Sequence, residues 1–191
     1  MKISDQLYFV VPLLREGGET YAHVHSLPVS VAAFDVHFNL LIRAYQMMAD
    51  SGYLAFRSAR RYVRAAAATL DTDAAPLLNE IERLSTVAMA NGERWDTIPL
   101  AQAIAQGLLE EGDGEEAVNA ACFFTAAWHV PTKRVRTSLL AVGSNLWGAH
   151  TSSSPPTART GGSPTSTSAA ATAPTPPANV TTIVIPGRQA S

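Results

Sequence analysis

Four arginines, Arg57, Arg60, Arg61 and Arg64, recur at i, i+3, i+4 and i+7, so one helix face would carry four guanidiniums. Three readings fit this stripe: a solvated face, a dock for an acidic surface through bidentate guanidinium–carboxylate bonds, or a phosphate site. The acidic surface is either the chain's own EEGDGEE segment (residues 110–116) or that of a partner. The sequence HVH places His23 and His25 on one side of a strand, because side chains alternate with period two. Two imidazoles fall short of the four ligands of a structural zinc site, and His37, His129 and His150 add no matching spacing. Cys122 lies in AACFF, an apolar helical setting that raises a thiol's pKa and suits a core residue better than a nucleophile. There is no phosphate loop, dinucleotide fingerprint or serine-hydrolase elbow. The residues therefore point away from an enzyme and call for neither metal nor cofactor.

The net charge is −2 over 191 residues, but it is unevenly spread. Residues 1–116 hold all 16 acids and nine of the 14 bases, a net of 9 − 16 = −7, whereas residues 117–191 hold five bases and no acid. Five positives over 75 residues are too thin a patch for a nucleic-acid footprint. No apolar run reaches the 18 or so residues of a membrane span, and the run from Leu7 to Leu14 is interrupted by Pro12, unlike a signal peptide. A single cysteine excludes an intramolecular disulfide and suits a reducing compartment.

The elements that would position these residues are mostly helical. QLYFVVPL and TYAHVHSL flank REGGE and predict a hairpin over about residues 5–27, turned by Gly17 and Gly18. Val31, Phe34, Phe38, Leu41, Ile42, Tyr45 and Met48 form the stripe of a helix that stops at Ser51-Gly52. A second helix is expected from Tyr53 to Thr69. A third carries the stripe Leu77, Leu78, Ile81, Leu84 and Val87 or Ala88, ended by NGE. Trp95 then packs near a cap and Pro99 opens a short helix to about Leu109. AVNAACFFTAAWHV, apolar all round, predicts a central helix up to His129. A last helix runs to Gly148, with Gly143 a soft spot. The expectation is a mainly α fold: a compact bundle of five or six helices with a small N-terminal β-hairpin over residues 1–149. A disordered Ser/Thr/Pro/Ala-rich tail would follow over 150–191, in which only VTTIVIP looks able to pair as a strand.

The order of SDQLYFVVP, HSLPVS, RWDTIPLAQAI, NAACFFTAAW and LWGA before a Thr/Ser/Pro tail resembles the tail assembly chaperones of long-tailed bacteriophages. The resemblance implies a non-enzymatic protein of the host cytoplasm. Such a protein binds the tape-measure protein, keeps its apolar helices soluble and helps recruit tail-tube protein; many are made in two lengths by frameshifting. The family lends no strict functional residues. A phage virion structural protein, such as a tail-completion or connector subunit, is the alternative. A chaperone for apolar helices needs an apolar groove. Phe34, Phe38 and Tyr45, together with Phe123, Phe124 and Trp128, are candidates for its lining, though such stripes ordinarily pack inward. Met47 and Met48 would add adaptable contacts. The Arg57/Arg60/Arg61/Arg64 stripe is the candidate polar contact.

Overall fold

Residues 85–99 depart furthest from the helical expectation. STVAMAN and RWDTIP flank an Asn-Gly step, the dipeptide that most favours a tight hairpin. In the computed structural model, which describes residues 7–91 and 94–152, both stretches are strands. The bundle with one N-terminal hairpin is thereby corrected: the fold is an antiparallel five-stranded sheet carrying helices on one face. The strands are β1 (Tyr8–Leu14), β2 (Thr20–Ser26), β3 (Ser85–Asn91), β4 (Arg94–Pro99) and β5 (His150–Ser152), in the order β4-β3-β2-β1-β5.

The helical stripe that carried the expectation past residue 84 was a coincidence of period. Helix α4 (Ala75–Arg83) buries Leu77, Leu78 and Ile81 and is capped at Leu84. The Ser85 hydroxyl then donates to Ile81 O (2.9 Å), one of the carbonyls left without a partner at a helix C-terminus. Ser26 Oγ lies 2.9 Å from Ser85 Oγ, so it is the donor in this buried pair, which ties β2 to the start of β3. From there Val87 faces the core while Thr86 faces away, the alternation of a strand rather than of a helix.

The β1–β2 hairpin forms as expected. Gly18 (φ 80°) takes the turn conformation that other residues avoid, and its N–H donates to Arg15 O (2.8 Å). The Tyr21 hydroxyl pins β2 to the next layer, donating to the Asp113 carboxylate and accepting from Glu110 N–H (3.1 Å). Burial, then the Asp113 bond, push its pKa up to about 12.

Helices α1 (Val31–Val36) and α2 (Phe38–Ser51) divide the stripe expected of one helix at His37. A 3-10 helix (Tyr53–Ser58) precedes α3 (Ala59–Thr69), so the expected second helix is also two pieces. Helix α5 is Leu100–Ala105, α6 is Asp113–His129 and α7 is Lys133–Trp147, ended at Gly148 (φ 62°). Every residue of α6 from Ala117 to Ala127 is buried. Helices α2, α3, α4 and α7 surround it on one side and β1 and β2 close the other. Phe9 of β1 stacks on Phe124 at 4.9 Å, and Phe56 and Trp147 pack on Phe123 at 5.3 Å each.

Two details make that packing possible. The Asn119 side chain accepts from Arg60 N–H (2.9 Å), so a buried polar residue of α6 caps the start of α3, where Ser58 does not. At Gly143 a Cβ would stand 2.8 Å from Phe9 Cζ and 3.0 Å from Phe123 Cε1. What reads as a soft spot in the sequence is thus a point where α7 comes close against the aromatic core. Residues 150–152, expected at the start of a disordered tail, pair as β5 with Tyr8–Val10. The VTTIVIP segment lies outside the described residues.

Candidate partner-binding surface

The four arginines do not share one continuous α-helix. Arg57 belongs to the 3-10 helix and donates from Nη2 to Leu146 O (2.7 Å), satisfying a carbonyl near the end of α7. Arg60 pairs with Glu82 of α4 (Nη2–Oε1 3.2 Å) rather than with the acidic segment at 110–116. It does line a cavity of about 370 Å³ that Glu110 and Glu115 also line. Arg61 and Arg64 remain exposed on α3. Half of the stripe is therefore spent on internal contacts, and the other two guanidiniums are exposed.

The aromatic candidates divide as well. Phe123 and Phe124 are core, as is Met48. Tyr45 is half-buried against that core. Phe34 is half-buried too, stacked on the His129 imidazole at 4.7 Å and edge-on to Phe38 at 5.6 Å. His129 is held by a 2.8 Å hydrogen bond between Nε2 and Val29 O, and burial lowers its pKa. Phe38 is 45% exposed, and beside it in sequence Val36 is 79% and Val31 68% exposed. Helix α1 buries none of its residues although five of its six are apolar. Val31 belongs to the stripe expected to face the core and is instead exposed; Val36 was not singled out by sequence reasoning. The signal was the break at His37, which separates α1 from the helix that buries Leu40, Leu41, Ala44 and Met48.

The outer face of the sheet carries a second group. His23 and His25 do lie on one side of β2, with ring centroids 6.5 Å apart; Trp95 of β4 approaches His23 (5.3 Å) and Tyr8 approaches His25 (6.3 Å). Across the ladder Val10 sits between His25 and His150. Burial, then the neighbouring His23 and His150, bring the His25 pKa down to about 4; burial and His150 lower that of His23. The His23 and His25 imidazoles are thus mostly neutral near pH 7. Among the described residues no group of three His, Cys, Asp or Glu is placed to hold a metal ion. Cys122 is fully buried and its thiol pushed up to about 12, which leaves it almost entirely protonated.

Comparison of the chain with protein-family models, curated proteins and solved structures finds no match. Its surfaces must be read from their own chemistry. Among the described residues no helix is long and apolar enough to cross a membrane.

Proposed function

We propose that this protein is a non-enzymatic tail assembly chaperone of long-tailed bacteriophages, binding the tape-measure protein in the host cytoplasm and helping to recruit tail-tube subunits. The observation that carries the reading is α1: a short, mostly apolar helix with no fully buried residue, whose Val31 and Val36 stand exposed beside the exposed ring of Phe38. A client made of long apolar helices offers the complementary surface, with anchors at i, i+3, i+4 and i+7. The sequence resemblance supplies the identity of the client. Arg61 and Arg64 suit acidic residues flanking such a segment.

The test is co-expression with fragments of the tape-measure protein from the same genome. Capture and solubilisation of the fragment by the wild-type chain, lost in Val36→Asp and Phe38→Asp, is the expected result. Presence of the chain at fixed copy number in purified particles would replace this reading with that of a virion structural subunit.

A further inference from the structure

Among the described residues the sheet ends on one side at β4, so alternate backbone N–H and C=O groups of Arg94–Pro99 point away from the sheet. We propose that β4 is a self-association edge, pairing antiparallel with β4 of a second copy about a two-fold axis at Trp95 and joining two sheets into one of ten strands.

The side chains select this register. Residues facing each other across an antiparallel pair point to the same side of the sheet. A two-fold axis normal to the sheet keeps the helix-covered face continuous only if odd positions meet odd positions and even meet even, so the axis must pass through a residue. On β4, Ile98 pairs with the core residue Val87, which puts Arg94 and Asp96 on the helix-bearing side; Trp95 and Thr97 lie on the histidine side. An axis at Arg94 sets that arginine against itself, and an axis at Asp96 sets two carboxylates together. An axis at Thr97 pairs no charges and places Pro99, which has no N–H, opposite Trp95. An axis at Trp95 brings Arg94 opposite Asp96 of the second copy twice over and pairs the two indoles, an aromatic cross-strand contact. Arg94 and Asp96 are both exposed, and a carboxylate has lone pairs enough to accept a second donor beside its present neighbours. Trp95 is half-buried against His23, so the indole is already held on the face where it would meet its counterpart.

The experiment is sedimentation velocity on the full chain from about 1 to 300 μM, the range in which an interface of this modest size associates. The wild type is expected to show a concentration-dependent dimer. Arg94→Asp or Asp96→Arg alone should weaken it at least about tenfold by facing like charges, and the double variant should restore it by exchanging the partners. Under mild oxidation Trp95→Cys should form a covalent dimer. Thr97→Cys should not, because its counterpart would lie four residues along, about 13 Å away and beyond the roughly 7 Å limit for a disulfide. A monomer at the highest concentration, a dimer indifferent to the single reversals, failure of the double variant to recover, or equal crosslinking at both positions would overturn the proposal. Circular dichroism of each variant separates loss of pairing from loss of fold.

Discussion

Helices α6 and α1 are written in nearly the same alphabet. Between Ala117 and Ala127 only Asn119 and Thr125 are polar; in α1 only Asp35 is. Yet that run of α6 is buried on every side, and no residue of α1 is. Burying an apolar side chain is worth about 25 cal/mol per Å², so the chain gains this along α6 and forgoes most of it at Val31 and Val36 of α1. The difference lies in the neighbours. Helix α6 has the β1–β2 hairpin beneath it and four helices around it, whereas α1 is six residues cut off at His37, with Ala33 and Phe34 half-buried against the core and Val31 and Val36 exposed. Composition tells that a helix needs a partner, and the fold tells whether it has found one within the chain.

Four measurements bear on that comparison. The largest effect is expected at the sealed helix: Phe124→Ala removes the ring stacked on Phe9 and should cost about 3–5 kcal/mol in denaturant unfolding. A loss below about 1 kcal/mol would mean that α6 is not the centre of the core. Next, Gly143→Ala forces a methyl group against Phe9 and Phe123 and should cost about 1–3 kcal/mol. An unchanged midpoint would show that α7 stands further from the sheet.

Third is acid. The folded pKa of His25, about 4, lies below its ordinary value of 6.5, so the folded state resists protonation. The stability this group contributes is complete above about pH 6.5 and is lost as the pH falls towards 4. Discounted for its half-exposed position, the loss is on the order of 1–2 kcal/mol. His23 and His129 are lowered in the same direction. A His25→Gln variant should flatten the stability profile between pH 6.5 and 4; an equally steep profile would place the acid sensitivity elsewhere. The smallest effect belongs to the open helix: Val36→Asp should change stability by no more than about 0.5 kcal/mol, because nothing covers that side chain. A larger loss would mean that α1 is covered within the chain, and its role as a partner surface would fall.

Periodicity revealed the elements whose signal was local. Gly17-Gly18 between two β-rich runs identified the hairpin, and the unbroken apolar run at 117–127 identified the central helix. The β3–β4 hairpin was misread because Leu84, Val87 and Ala88 continue a helical spacing by chance. Asn91-Gly92 suits a helix stop as well as a hairpin, so the sequence alone does not choose between them. The pairing of β3 with β2 joins residues some 60 positions apart, and no local spacing encodes it. The candidate surface was legible in part. Phe34 and Phe38 were visible as aromatics at helical spacing, but their exposure depends on His37 ending α1. The arginine spacing was real, while the use of Arg57 and Arg60 as internal ties depends on where α7 and α4 come to rest.

The three-residue strand β5 has a consequence for the order of events in folding. Its partner Val10 lies 150 − 10 = 140 residues away along the chain, whereas β1 and β2 are joined by a short turn. Closing the longer loop costs about 3 kcal/mol more in chain entropy than closing the turn, and three residues of pairing return little against it. The helical body must assemble first and deliver His150 to its place. In thermal fluctuation the same step runs backwards: β5 opens first, baring the Tyr8–Val10 side of β1 while α6 stays sealed. The sheet therefore has an open edge at β4 and a latch at β5.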